Sequence, residues 1–129
     1  SHDGHIEYIH DSLLEYYSGG INNMLSLRLN GTINKMKIIV LKANYIFIFN
    51  ENTVIGDLLQ DIMRELQNKS IEKILIPLNL DGKHWVGLLL DVSSDRIVLN
   101  YMDSLNKNVP DALRDLIISA MEAKGYDIQ

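Results

Sequence analysis

The sequence contains no cysteine, which excludes disulfide bonds and thiolate metal sites within it and fits a reducing compartment such as the cytoplasm. It has no run of about eighteen apolar residues, so no segment is predicted to span a membrane. Positive charge is scarce, with a formal net charge of −5 and no stripe of Lys and Arg, which argues against a nucleic-acid partner. Apolar residues nevertheless make up 47% of the 129 residues, enough to bury a real core.

Apolar periodicity predicts the order helix, strands, helix, strands, helix, which is typical of an α+β fold with a central mixed or antiparallel sheet flanked by helices. The predicted strands are Lys37–Leu41, Tyr45–Phe49, Ile71–Asn79, His84–Val92 and Arg96–Met102. The predicted helices cover residues 6–17, residues from the cap at Asn52 or Thr53 to Leu66, and residues from Pro110 to Lys124-Gly125. Residues 22–34 fit a short helix or an irregular segment. With no internal repeat or linker, residues 1–129 are predicted to be a single domain or the N-terminal part of one.

The most informative segment is a predicted hairpin. If Ser93-Ser94 forms its two-residue turn, Asp91 faces Arg96 as an ion pair, and every second pair beyond it is apolar. The last pair on that apolar face is His84 with Asp103. Directly opposed residues have Cβ atoms roughly 4.5–5.5 Å apart, so the hairpin would bring an imidazole and a carboxylate side by side.

An imidazole beside a carboxylate has two interpretations. The carboxylate can orient the ring, fix its tautomer and stabilise the imidazolium, which is the base-and-orienter half of a catalytic triad. Alternatively, His84 and Asp103 form a plain ion pair, and Asp103-Ser104 is an Asx turn that closes the strand.

The segments around this pair resemble the central block of the Ulp1-like cysteine proteases, the C48 peptidases of the adenain-type clan. An Ile-Pro strand, a His-Trp pair and an Asp-Ser-Leu follow one another with the family's spacing, in Ile76-Pro77-Leu78-Asn79, His84–Asp91 and Asn100–Leu105. The resemblance is close over residues 71–105 and looser to Gln129. It implies half of a papain-like, Ulp1-like protease fold, apparently truncated, and a ubiquitin or ubiquitin-like partner with no cofactor.

Carried over to this chain, the resemblance implies that His84 is the catalytic general base and Asp103 its orienting acid. It also implies that Trp85 binds substrate by lining the narrow channel for a modifier's Gly-Gly tail, since a flat aromatic wall excludes anything bulkier than glycine. Taken alone, Trp85 would be interpreted as a large side chain packing on the sheet. Several bacterial effector deubiquitinases share this pattern. The expected location is therefore cytoplasmic, with secretion by a bacterium into a host cell as the alternative.

The family pattern continues with an oxyanion-hole glutamine and a cysteine nucleophile, and no cysteine is present up to Gln129. One hypothesis is a protease that hydrolyses isopeptide bonds after a Gly-Gly tail, with its nucleophile beyond Gln129. A second is a catalytically dead pseudoprotease that binds a modifier, and a third is a YopJ-type acetyltransferase, which would need acetyl-CoA. No metal site is predicted, because His2, His5 and His10 are interpreted as a solvated polar terminus.

Overall fold

The structure, a computed structural model, describes the backbone of residues 5–10, 14–17, 24–27 and 35–129 and the side chains from residue 38 onward. Within these ranges, nine strands and two helices follow one another along the chain. They are β1 (His5–His10), β2 (Leu14–Tyr17), β3 (Met24–Leu27), β4 (Lys35–Val40), β5 (Tyr45–Ile48), β6 (Thr53–Ile55), α1 (Leu58–Glu65), β7 (Lys73–Leu80), β8 (His84–Asp91), β9 (Val98–Met102) and α2 (Asp111–Ala123). Strands β2 and β3 pair with each other, and the other seven form one mixed sheet.

Strand β7 is the centre of the mixed sheet. One of its edges pairs with β8 along its whole length in antiparallel orientation, and β9 follows β8 in the same way. The other edge pairs in parallel with β4 near the start of β7 and with β5 near its end. Strands β1 and β6 extend that side of the sheet as antiparallel neighbours of β4 and β5. The continuous apolar sequence of β7 reflects burial on both faces, which explains why it shows no alternation.

Pro77 is tolerated in this central strand because of the interruption between β4 and β5. The Leu41 N–H donates to the Leu75 carbonyl, so odd-numbered residues of β7 direct their backbone groups toward this edge. Val40 pairs with Leu75, but Tyr45 pairs with Leu78, so the register along this edge of β7 shifts by two residues. The shift leaves the position beside Pro77 without a ladder partner. The missing proline N–H therefore costs no strand hydrogen bond.

The two faces of the sheet are both apolar. One face packs against α1 and α2 in a single core, through Ile76, Leu78, Val86 and Leu88 of the sheet and Ile62, Leu113, Ile117 and Met121 of the helices. We call it the helix face. The opposite face, which we call the second face, carries the buried side chains Ile38, Val40, Leu75, Trp85, Leu89 and Met102. His84 belongs to the helix face and Trp85 to the second face, because neighbouring strand residues alternate.

The sequence-based assignment was wrong at the N-terminus. Of the predicted helix over residues 6–17, residues 6–10 belong to β1 and residues 14–17 form β2, and β3 lies in the segment interpreted as helical or irregular. Pairing of β1 with β4 explains the error, because a long-range ladder overrides a short apolar spacing that also fits a helix. The side chains of His2, His5 and His10 lie outside the described residues.

The second predicted helix begins later than expected. Thr53–Ile55 forms β6, a short antiparallel partner of β5, and α1 begins only at Leu58. Gly56 separates the two elements with φ +107°, a left-handed conformation in which an added Cβ would lie 3.0 Å from Cδ1 of Tyr45. The five predicted strands from residue 37 onward and the last helix, which follows Pro110 and ends before Gly125, are confirmed with small shifts in their ends. In the part of the chain that the structure describes, neither helix has the length and apolar character to cross a bilayer.

Candidate active site

The β8–β9 hairpin carries the candidate site at one end of the sheet, but its register differs from the predicted one. Asp91 pairs with Val98 and Gly87 with Met102, so the connection is a six-residue loop over residues 92–97 and not a Ser93-Ser94 turn. The register is therefore shifted by two residues. His84 and Asp103 are not directly opposed, yet they stay on the same face because an even shift preserves facing.

Hydrogen bonds and ion pairs at the two ends of this loop explain why it is longer than predicted. Asp91 Oδ1 accepts hydrogen bonds from the backbone N–H and the hydroxyl of Ser93, which begins a turn directly after β8. The predicted ion pair of Asp91 with Arg96 is wrong. Asp91 instead pairs with Lys73 across the β7–β8 ladder at 2.7 Å, and Arg96 lies 3.2 Å from Asp127.

The structure brings the predicted imidazole and carboxylate into direct contact. His84 Nε2 lies 2.6 Å from Asp103 Oδ1, a short contact at the strong end of charge-assisted hydrogen bonds. The Asp103 side chain is only 2% exposed, whereas the His84 side chain is 26% exposed. The carboxylate is thus enclosed and fixed, and the ring it holds remains partly open to solvent.

The contact determines which ring nitrogen can act as a base. An ionised carboxylate can only accept hydrogen bonds, so Nε2 of His84 must carry the proton that it donates to Asp103. In the neutral ring, Nδ1 then has the free lone pair. This nitrogen could take a proton from a nucleophile, and Asp103 would stabilise the imidazolium that results.

Asp103 is kept ionised by its surroundings. Burial alone would raise the pKa of Asp103, but the hydrogen bonds from His84 and from the Leu105 backbone N–H, with the positive charges of His84 and Lys107, outweigh it and lower the pKa. The Leu105 N–H donates to the same Oδ1 atom at 2.9 Å, so the Asx turn and the His84 contact, treated as alternatives in the sequence, occur together. Burial and the charge of Asp103 also raise the pKa of the neighbouring Tyr101 to about 12.

Trp85 follows His84 in β8 but projects to the second face, so it does not share the imidazole's side of the sheet. It is 6% exposed and lies directly opposite Asn79 of β7, which is equally buried. Indole Nε1 and Asn79 Oδ1 have no hydrogen-bond partner among the described residues. Asn79 was not singled out from the sequence, although a polar residue within an otherwise apolar strand was the available signal.

Comparison with known proteins gives a family match for this chain. The sequence model of the Ulp1 protease family, C-terminal catalytic domain, matches residues 38–124, more than half of the chain. Searches of curated proteins and of solved structures return no match. The match spans the strands and helices that build the His84–Asp103 hairpin and its core. The chain therefore belongs to the Ulp1 protease family of cysteine proteases, which act on ubiquitin-like proteins.

Proposed function

We propose that this protein hydrolyses isopeptide or peptide bonds after the Gly-Gly tail of ubiquitin or a ubiquitin-like modifier. In this proposal His84 is the general base, Asp103 orients it, and Trp85 lines the channel for the tail. The observation that carries the proposal is the 2.6 Å contact between His84 Nε2 and a carboxylate that is almost fully enclosed. That contact leaves Nδ1 free to accept a proton, and activation of a thiol requires such a basic nitrogen beside it.

The nucleophile is proposed to be a cysteine supplied by sequence beyond Gln129. Nδ1 of His84 takes the thiol proton as the sulfur attacks the scissile carbonyl carbon. The protonated ring then gives this proton to the leaving amine as the carbon–nitrogen bond breaks. Water then attacks the carbonyl carbon of the resulting thioester as His84 takes a proton from it. The carbon–sulfur bond breaks, the proton on His84 returns to the cysteine sulfur, and the free carboxyl terminus of the modifier is released.

The course of the chain near Gln129 supports such a position for the nucleophile. Ile128 forms a parallel bridge with Ile97, and the N–H groups of Ile97 and Leu99 donate to the carbonyls of Asp127 and Gln129. These bonds lie along the outer edge of β9, the strand that leads to Asp103. A strand continuing in this register would lie beside Asp103 about five residues after Gln129, because both strands rise by about 3.3 Å per residue.

Hydrolysis of modifier substrates by the full-length protein tests the proposal. Substrates that carry a fluorescent amide at the Gly-Gly terminus of ubiquitin or of ubiquitin-like proteins should be cleaved, and copies lacking the two glycines should not. His84→Ala should lower kcat/KM by about 10²-fold or more, since general acid–base catalysis contributes roughly 10²- to 10⁴-fold. Asp115→Ala, at an exposed aspartate of α2, is the control and should retain full activity. Cleavage that survives His84→Ala would exclude this mechanism.

A second candidate is a modifier-binding pseudoprotease that keeps the family fold and the His84–Asp103 contact. It predicts binding of a ubiquitin-like modifier by the full-length protein with no hydrolysis and no covalent adduct with a modifier that carries a C-terminal electrophile. Hydrolysis or adduct formation would exclude it. Transfer of an acetyl group from labelled acetyl-CoA would instead indicate the acetyltransferase hypothesis.

A further inference from the structure

Strand β6 forms a free edge of the mixed sheet. It is the last strand on its side of the sheet, and no strand within the described residues pairs with its outer side. The Asp81 N–H donates to the Phe47 carbonyl, so Phe47 directs its backbone groups toward β7, and its neighbours in β5 bond to β6. Val54 lies directly opposite Phe47. The N–H and carbonyl of Val54 therefore point outward, where they are available to another strand.

Apolar side chains accompany this edge on the second face. Val54 packs against the core on the helix face, so its neighbour Ile55 belongs to the second face, where it is 54% exposed. Ile46, which pairs with Ile55, and Ile48 share that face and are partly exposed, and we call these three residues the isoleucine strip. Proteins usually protect free edges with charged residues or proline, and β6 contains neither. An apolar strip beside outward-pointing backbone groups is the arrangement by which sheets bind an added strand.

The charge around β6 is of one sign. Residues 43–63 include three acidic residues and no Lys or Arg. One of these acids, Asp61, pairs with Arg64. The other two, Glu51 and Asp57, are exposed and lie three residues before and after Val54, at the two ends of β6. The free edge is thus flanked by negative charge on both sides.

These charges decide which kind of strand fits the edge. If two copies of this chain paired through β6 in antiparallel orientation about Val54, Glu51 of each copy would approach Asp57 of the other. Like charges opposite each other destabilise a strand pair, so a second copy is disfavoured. A partner strand with β-branched apolar residues near its centre and a Lys or Arg toward each end would instead meet opposite charge at both ends.

We propose that the β6 edge binds an extended, basic segment of a partner protein by strand addition. Val54 donates one backbone hydrogen bond to the segment and accepts one from it, the isoleucine strip packs against its apolar side chains, and Glu51 and Asp57 pair with its basic ones. Three strand spacings, or about 14 Å, separate β6 from β8, so a bound segment leaves the His84–Asp103 pair open. This binding is independent of the proposed protease activity, because it uses none of the catalytic residues.

Binding of a synthetic peptide to the full-length protein, followed by fluorescence anisotropy at low salt, tests the proposal. The probe is Lys-Thr-Val-Thr-Val-Thr-Lys with a dye and blocked ends, in which the two valines flank the residue opposite Val54 and so face the isoleucine strip. It should bind saturably. The same peptide with Glu in place of both Lys should bind about fivefold weaker or more, since attraction becomes repulsion at two exposed positions.

Backbone changes test the hydrogen bonds. Val54→Pro removes the outward N–H and places its ring in the path of an incoming strand, without breaking a bond within the sheet. It should weaken binding about tenfold and change the melting temperature of the free protein little. N-methylation of the peptide's central threonine removes its bond to the Val54 carbonyl and should weaken binding similarly. N-methylation of the following valine, whose N–H faces away from β6, is the matched control and should change Kd little.

Charge reversal tests the choice of partner. Glu51→Lys combined with Asp57→Lys should reverse the preference, so that the Glu-flanked peptide binds more tightly than the Lys-flanked one. Asp95→Lys combined with Glu122→Lys changes the net charge equally at exposed positions in the loop after β8 and the last turn of α2, and it should keep the wild-type preference.

Three results would overturn the proposal. They are the absence of saturable binding to the Lys-flanked peptide, an unchanged preference in the double variant at the ends of β6, and self-association of the wild-type protein that Val54→Pro abolishes. The last result would assign the edge to a second copy of this chain. If Val54→Pro fails to fold, the N-methylated peptides and the charge reversal carry the test. Peptide binding without hydrolysis of any modifier would refute the proposed protease activity and leave the β6 site standing.

Discussion

Substitutions of Asp103 should separate its charge from its role as an acceptor. The His84 Nε2–H and the Leu105 backbone N–H both donate to one oxygen, Oδ1. In Asp103→Asn the amide oxygen can stay at that position and accept both bonds, so ring orientation and tautomer are kept and only the charge is lost. In Asp103→Ala both donors lose their partner and the ring loses its orientation.

The magnitudes follow from the two kinds of hydrogen bond. A hydrogen bond to a charged group contributes about 1.5–3 kcal/mol and a neutral one about 0.5–1.5 kcal/mol, so Asp103→Asn should cost about 1–1.5 kcal/mol of transition-state stabilisation. At about 1.4 kcal/mol per tenfold, kcat/KM should fall roughly 5- to 15-fold. Asp103→Ala should lower kcat/KM about 100-fold or more, because no carboxylate then stabilises the imidazolium and no acceptor orients the ring.

The assay is steady-state hydrolysis of the best Gly-Gly fluorogenic substrate by the full-length protein, with Asp115→Asn as the matched control at an exposed aspartate. The loss should appear in kcat with little change in KM, since Asp103 acts on the base and not on the substrate. Equal activity of the asparagine and alanine variants, or full activity of the alanine variant, would refute the proposed role of this contact.

Three further predictions concern stability and follow from other contacts. The pKa of Asp103 is lowered by folding, so its ionised form stabilises the protein above the unfolded pKa of about 3.9, and this contribution is lost as the pH falls through the lower folded pKa. The difference in unfolding free energy between wild type and Asp103→Asn should therefore shrink as the pH falls below about 4, and a difference that stays unchanged there would contradict it. Asp91→Ala should lower the unfolding free energy by about 1–3 kcal/mol in urea titrations, and more than Lys73→Met does, because Asp91 also accepts two bonds from Ser93. Gly82→Ala should cost about 1 kcal/mol through its φ of +73° alone, whereas Gly56→Ala should cost more because its Cβ meets the Tyr45 ring; equal melting temperatures would show that the contact relaxes freely.

The centre of the fold was predictable from sequence because local pattern and tertiary structure agree there. Strands β7 and β8 are apolar runs bounded by clear turn signals, and Asp81-Gly82 forms the tight turn between them with φ above zero at both residues. The last helix has proline before it and glycine after it, at positions where the backbone favours them.

The errors arose where distant contacts decide the structure. The apolar spacing of residues 6–17 fits a helix locally, but β1 is fixed as a strand by its ladder with β4. The β8–β9 loop is longer than predicted because Asp91 caps Ser93 and Ile97 pairs with Ile128. The Asp91–Ser93 turn is local, and an aspartate two residues before a serine was its available signal, whereas the Ile97–Ile128 bridge has no local signature. The His84–Asp103 contact was found despite the wrong register only because the error was an even number of residues.

The proposed mechanism depends most directly on which nitrogen of the neutral His84 ring carries the proton. Nitrogen chemical shifts of the imidazole, measured by NMR on the 129-residue chain at neutral to mildly alkaline pH, report which ring nitrogen carries the proton. We expect the Nε2–H tautomer, with this preference weakened or lost in Asp103→Ala. A ring protonated at Nδ1, or one that averages both tautomers equally in the wild-type chain, would contradict the pairing on which the proposed mechanism is built.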